Sequence, residues 1–227
     1  MIIGAMQSHF MPGIGYFALM KNVDQFVILD DVQFEKRGWQ QRNYFFLNKK
    51  KNFLTVPVLS KGLFHQKINK VKISKESNFV SKHLRTIEQN YKKTNFFDDI
   101  FPDLEKIYSK NHIFLKDLNY DLIIFFKQYL GIKTKLVMSS TLNVFGVKEK
   151  RIDEICKKLK CKKYFATIGS KEYLDNLSNL DYEIVYYKIL YKNKDPQPHI
   201  NLCMLDLIFN IGKLAKNHID ENFKLIT

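Results

Sequence analysis

No apolar run in this chain approaches the roughly 20 residues that a bilayer crossing needs, so no membrane span is expected. No basic segment followed by an apolar stretch and a small-residue cleavage site opens the chain, and the expected location is cytoplasmic. Cysteine is scarce. Cys156, Cys161 and Cys203 are odd in number, which argues against a disulfide framework. No matching Cys/His pair accompanies Cys156 and Cys161, so a structural zinc site is not expected either. Internal repeats, low-complexity tracts and Pro/Ser-rich linkers are missing. So are the P-loop and the G-x-G-x-x-G fingerprint. The absence of a G-x-S-x-G elbow and of H-E-x-x-H removes ordinary serine hydrolases and zincins.

What remains is a chain of 227 residues, 45% hydrophobic, long enough to bury a substantial core. It is read as a single domain over residues 1–227. The net charge of +14 attracts anionic partners at long range: nucleic acid, acidic lipid, phosphorylated metabolites or an acidic protein. The same lysines would also serve as plain solvated edges, as Lys49-Lys50-Lys51 and Lys157-Lys158 suggest. The charge sets the sign of a partner and not its identity.

The first forty-odd residues carry the most information. Met1 to Met6 reads as a short buried strand, Gly13 and Gly15 loosen the loop after it, and Tyr16 to Met20 reads as a helix. Asp24 to Leu29 reads as a second strand ending in Asp30-Asp31. Strand, glycine-containing turn, helix, strand opens an α/β domain, whose ligands sit at the carboxyl ends of the strands. Tyr44–Leu47 and Phe53–Val58 follow as a hairpin around a polar turn at Asn48 to Asn52, and Ile68–Ile73 alternates like a half-buried strand. Helices are predicted over Ser77–Lys92 with Ser77 as cap, over Phe96–Ser109, and over Phe114–Leu130 with Gly131 as C-cap. A second α/β passage then runs through strands at Lys135–Ser140, Lys163–Thr167 and Tyr182–Tyr187, a helix at Lys148–Leu159 and a terminal helix at Leu202–Ile211. The expected class is α/β: a mostly parallel, Rossmann-like sheet with a helical insertion at about residues 77–130.

Several residue groups have chemistry to offer. Adjacent residues on a strand point to opposite faces, so one of Asp30 and Asp31, taken here as Asp30, faces a pocket as a general base or sugar-hydroxyl acceptor. Either aspartate would equally serve as a turn cap. Lys36, Arg37 and Arg42 surround Trp39, the sole tryptophan, beside Asn43; forked guanidinium groups grip a diphosphate while the indole stacks on a base or sugar. His83, Ile87 and Tyr91 share one helix face, where His83 is either a proton-transfer group or a satisfied core histidine. His9, in the flexible first loop, is a second candidate for proton transfer. Ser139-Ser140, and Gly169-Ser170-Lys171 before Tyr173, offer hydroxyls and backbone N–H groups to phosphate.

In order along the chain, these residues resemble the WbqC-like family of bacterial surface-polysaccharide gene clusters. The resemblance rests on Gln7…Pro12…Gly15-Tyr16-Phe17, Asp30-Asp31-Val32-Gln33-Phe34, Lys36-Arg37-Gly38-Trp39, Arg42-Asn43 and Thr55-Val56-Pro57-Val58. It continues through His83…Ile87…Asn90-Tyr91-Lys92, Ser139-Ser140, Gly169…Tyr173-Leu174 and Asn201-Leu202…Leu205-Asp206…Phe209-Asn210…Gly212. Where the family usually has Gln-Pro and an aromatic-Pro pair, Ser8-His9-Phe10-Met11 intervene here. The resemblance implies an acyl- or aminoacyl-transferase, glycyl transfer included, acting on an amino sugar or sugar nucleotide in surface-glycan synthesis. It implies no tightly bound cofactor; the acyl donor would be coenzyme A or a carrier-protein thioester, and a basic surface suits an acidic acyl carrier protein. On that reading His83, Asp30 or His9 takes the proton. Gln7, Tyr16, Asp31, Gln33, Lys36, Arg37, Trp39, Arg42, Asn43, Tyr91, Ser139, Ser140, Gly169 and Tyr173 hold the nucleotide-linked amino sugar. Two other readings compete. The opening strand, loop and helix resemble nucleotidylyltransferases in outline, although only His9 and Gly15 stand for their His-x-Gly-His element. A nucleic-acid-binding module would suit the charge, but no RRM, KH or helix-turn-helix signature appears.

Overall fold

A strand covered on both faces reads as an unbroken apolar run, because neither set of alternate side chains meets water. Ile2–Gln7 (β1) and Gln25–Leu29 (β2) are such runs, and in the computed structural model they pair in parallel, with Gly4 opposite Phe26. The structure describes residues 1–47, 50–189 and 203–226. Lys135–Met138 (β5), Lys163–Thr167 (β6), Glu183–Ile189 (β7) and Phe223–Ile226 (β8) complete the sheet; Arg42–Leu47 (β3) and Lys50–Thr55 (β4) form a separate antiparallel hairpin. The sheet order is β5-β2-β1-β6-β7-β8, parallel throughout except for β8 against β7. The chain therefore builds outward from β1 to β5, then returns to the far side of β1 with β6. This is the doubly wound order, and β1/β6 is its switch point.

Right-handed crossovers put the helices of the outward and returning halves on opposite faces of such a sheet. Ile14–Lys21 (α1), Phe79–Tyr91 (α2), Phe97–Ser109 (α3) and Leu115–Tyr129 (α4) belong to the outward half. They share one core with Met204–Ile211 (α7) and Ala215–Asn222 (α8), and Phe26 and Ile28 of β2 point into it. Lys148–Lys158 (α5) and Lys171–Leu174 (α6) cover the other face, where Ile3, Val27, Ile155 and Cys156 meet. The alternation of Phe26, Val27 and Ile28 between two cores is what a three-layer sandwich demands. Gly4 lets α1 approach closely: a Cβ there would lie 2.8 Å from Leu19 Cδ1. Gly131 ends α4 in a Schellman motif, its N–H bonding to Gln128 O at 2.9 Å while Ile132 N–H bonds to Lys127 O at 2.9 Å.

Some expected elements differ. Ile68–Lys70 is a 3₁₀ turn rather than a strand, because its backbone turns in to donate from Ile68 N–H to Val32 O and from Asn69 N–H to Asp30 O. Ser77 does not cap α2; Asn78 occupies that position without a side-chain bond. β4 ends at Thr55, after which Val56 N–H turns back to Gln41 O. The strand at Lys135 stops at Met138, and Ser139–Thr141 is a 3₁₀ turn. β8 and α8 lack a counterpart among the predicted elements. The Asn48-Lys49 part of the hairpin turn and Leu202 lie outside the described residues. Among the described residues no helix is long and apolar enough to cross a membrane, and all three cysteines are free and buried.

Candidate functional site

At a switch point the loops leaving two neighbouring strands run in opposite directions and leave a crevice between them. Here a crevice of about 530 Å³ opens beyond the carboxyl ends of β1 and β6. Met6, His9, Tyr16, Trp39 and Asn43 line one side, and Thr167, Ile168, Tyr187 and Lys188 the other. A larger cleft of about 660 Å³ lies near the start of α2, between the 73–81 segment and Tyr108 to His112, away from the strand ends.

The wall carrying His9 is held by backbone bonds. Ser8 N–H donates to Leu29 O at 3.2 Å, Phe10 N–H to Trp39 O at 2.9 Å, and Met204 N–H to Pro12 O at 2.9 Å. Asn43 Nδ2 donates to Met11 O at 2.7 Å, while Asn43 Oδ1 accepts from Tyr44 N–H at 2.8 Å. Met11 is thereby fixed at φ +44°, a left-handed conformation unusual for a side chain of its size. Asn119, fully buried on α4, donates to Gln40 O at 2.9 Å and reaches Ser8 O at 3.4 Å. At the end of β1, Gln7 Oε1 accepts from Gln40 Nε2 at 2.5 Å. The Ser8–Gly13 loop and the Trp39–Asn43 segment are thus one rigid rim.

Two groups on that rim differ from their surroundings. Desolvation lowers the His9 pKa to about 4, so the ring is neutral at physiological pH. Its ring packs 5.5 Å from that of Tyr16. Tyr16 is 3% exposed, burial pushes its phenol pKa up, and its hydroxyl has no hydrogen-bond partner among the described residues. Trp39, 44% exposed, stands at the mouth with its ring 5.8 Å from that of Tyr44.

Other candidates gather elsewhere. Past β2, the buried Asp30 accepts from Ser140 N–H at 2.9 Å and Ser140 Oγ at 2.7 Å, with Ser139 Oγ 3.2 Å away. Asp31 pairs with Arg151 of α5 and accepts from Ser139. Gln33 Nε2 donates to Phe64 O at 3.2 Å. Lys36 and Arg37 are exposed, and Arg37 stands at φ +63° with its N–H on Gln41 Oε1. Arg42 lies over the Phe53 ring at 4.6 Å. His83 is enclosed: Nε2–H donates to Thr55 O at 3.1 Å, Nδ1 accepts from Tyr108 Oη at 3.0 Å, and desolvation lowers its pKa to about 4. Tyr91 donates to Asp206 at 2.6 Å and stacks on Phe209. Gly169 and Tyr173 sit on exposed turns after β6.

Of the residues singled out in the sequence, then, His9, Tyr16, Trp39 and Asn43 meet in the crevice, with Gln7 behind them. Asp30, Asp31, Ser139 and Ser140 form a second cluster, and His83 and Tyr91 stand in the helical layer. Asn119 and Arg151 escaped sequence reasoning. Asn119 had a signal: it is the polar residue in an otherwise apolar stripe of Leu115, Leu118, Leu122 and Ile123. Among the described residues no three His, Cys, Asp or Glu side chains converge as a metal site.

Fold and crevice define a doubly wound α/β protein with an open crevice at the switch point. The family profile of the WbqC-like proteins matches residues 7–218, and the chain belongs to that family. An uncharacterized protein of Mycobacterium tuberculosis, Rv1507c, is 32% identical over 228 residues, covering 96% of each chain. No solved structure matches.

Proposed function

We propose that this protein transfers an acyl or aminoacyl group to the amine of a nucleotide-linked sugar, with the switch-point crevice as the active site. The observation that carries the reading is the pair of neutral His9 and unpartnered Tyr16 hydroxyl on one wall of that crevice. Attack of an amine on a thioester forms the C–N bond, breaks the C–S bond and releases one proton from nitrogen. His9, neutral in the physiological range, offers a ring nitrogen through which that proton passes to the departing thiolate, the more basic group. The Tyr16 hydroxyl donates to the oxyanion on the former carbonyl. Asn43, also lining the crevice, spends its amide on Met11 O and holds the loop instead. Trp39 offers a flat apolar face at the mouth for a nucleobase or sugar ring. Nothing in the crevice fixes the donor, so coenzyme A and a carrier-protein thioester stand equally.

The test is a thermal-shift titration with UDP- and dTDP-linked amino sugars, the bare nucleotides and coenzyme A, on the wild type, Tyr16→Phe and Trp39→Ala. A shift that is larger for the sugar nucleotide than for the bare nucleotide, and lost in both variants, supports the reading. No shift with any ligand, or a shift indifferent to both substitutions, overturns it.

A further inference from the structure

The net charge of +14 is unevenly placed. Residues 36–75 contain eleven Lys and Arg and not one Asp or Glu, whereas the rest of the chain carries 26 cations against 23 acids. This segment leaves β2, forms the β3–β4 hairpin and returns through a long loop to Ile68. Its Lys36, Lys61, Lys67 and Lys70 are exposed, and none makes an ion pair within 4 Å among the described residues. The ion pairs of the described residues lie outside it. A surface that only needed solubility would intersperse signs, as those other regions do.

Apolar tips stand among these cations. Leu63 is 48% and Phe64 81% exposed, yet the base of their loop is fixed: Phe34 N–H donates to Gln66 O at 2.8 Å and Gln33 Nε2 to Phe64 O at 3.2 Å. A second tip, Phe145 at 80% and Val147 at 74% exposed, precedes Lys148 and Lys150 at the start of α5. Arg151 ties that helix start to Asp31, two residues from Gln33. Both tips therefore flank the carboxyl end of β2, on the edge of the sheet where the crevice opens. Single exposed apolar residues need no explanation, but rigidly based apolar tips ringed by unpaired lysines have the chemistry of interfacial insertion.

We propose that this edge docks on an anionic lipid bilayer, Leu63 and Phe64 entering the headgroup region and Lys36, Lys61, Lys67 and Lys70 facing acidic headgroups. Each tip pairs a phenylalanine with an aliphatic residue, Leu63 or Val147, and nine of the eleven cations of residues 36–75 are lysines. A single-stranded nucleic acid would instead be met by flat aromatics and arginines. A second copy of the chain would oppose the same eleven cations to themselves. The proposal stands independently of the chemistry assigned to the crevice, and it brings the crevice mouth to a membrane surface.

Vesicle co-sedimentation tests it with the full chain, using neutral phosphatidylcholine vesicles and vesicles that also contain phosphatidylglycerol. The expected result is binding to the anionic vesicles alone, weakening as salt rises. Partitioning should fall roughly tenfold or more in Leu63→Ser/Phe64→Ser, given the apolar area withdrawn, and also in Lys61→Gln/Lys67→Gln. Leu214→Ser, which removes an exposed apolar residue from the α7–α8 turn, should bind as the wild type does. These side chains are exposed, so folding is checked by matching circular dichroism melts. Absence of binding to anionic vesicles overturns the proposal. So does binding that survives Leu63→Ser/Phe64→Ser, or a Phe64-dependent preference for a single-stranded oligonucleotide over vesicles in competition.

Discussion

β1 and β2 are neighbouring parallel strands whose exits are built in opposite ways. Past β2, Asp30 has two donors from Ser140 on its carboxylate, and Asp31 has Arg151 and the Ser139 hydroxyl. Past β1, the Tyr16 hydroxyl is buried without a partner among the described residues, and the half-buried His9 ring packs beside it. Both exits carry polar residues of the kind that does chemistry. The β2 exit sets both carboxylates against donors, whereas the β1 exit leaves the Tyr16 hydroxyl without a partner among the described residues. A saturated buried cluster stabilises one conformation, whereas an unsatisfied one costs free energy until something fills it. The first reads as the tie joining β2, β5 and α5, the second as a site.

The comparison breaks first at Asp30. Replacing it with alanine removes the acceptor of the Ser140 N–H and hydroxyl, and should cost roughly 2–3 kcal/mol in urea unfolding. A cost below about 1 kcal/mol would mean that Asp30 is a free functional group after all. Next in size is the enclosed His83. Its folded pKa, about 4, lies below the ordinary 6.5, so between these values the unfolded chain binds more protons than the folded one. Stability then rises with pH through that window and is fully present above 6.5, a difference on the order of 2–3 kcal/mol. His83→Gln should be less stable at neutral pH and show a flatter pH dependence. Unfolding curves of both proteins at several pH values check it, and parallel slopes would refute a buried neutral ring. Arg151→Met should cost less, about 1–2 kcal/mol, since Asp31 is partly exposed and keeps its bond from Ser139.

Much of the fold was legible because both-face burial leaves a plain signature. The apolar runs at residues 1–6 and 24–29 marked the central strands, and Gly131 marked the end of α4. The 3₁₀ turn at Ile68–Lys70 was not legible: its apolar and polar residues alternate as in a strand, and long-range bonds to Val32 and Asp30 decided its shape. The candidate site was legible in its residue types and not in their partners. Residue type and loop position picked out His9, Tyr16 and Trp39 together with Asp30 and His83. What separates the two groups is the state of their partners, Ser139, Ser140, Thr55 and Tyr108, which come from distant parts of the chain. No local pattern encodes that pairing. The lopsided charge of residues 36–75 was always countable in the sequence, but it gained meaning only beside the exposure of Leu63 and Phe64.

The sharpest form of the comparison is also its smallest stability effect. Tyr16→Phe removes one oxygen from a place where, among the described residues, it bonds to nothing, and leaves the ring between His9 and Phe26. Deleting an unsatisfied buried hydroxyl relieves its desolvation cost, so unfolding stability should hold within about 0.5 kcal/mol or rise. The same change should abolish the thermal shift by a sugar nucleotide if that hydroxyl meets the ligand. Stability kept and binding lost is the signature of a group retained for function. A drop of about 1 kcal/mol or more would instead show that the hydroxyl has a structural partner, and would place the β1 exit with the β2 exit as a saturated tie.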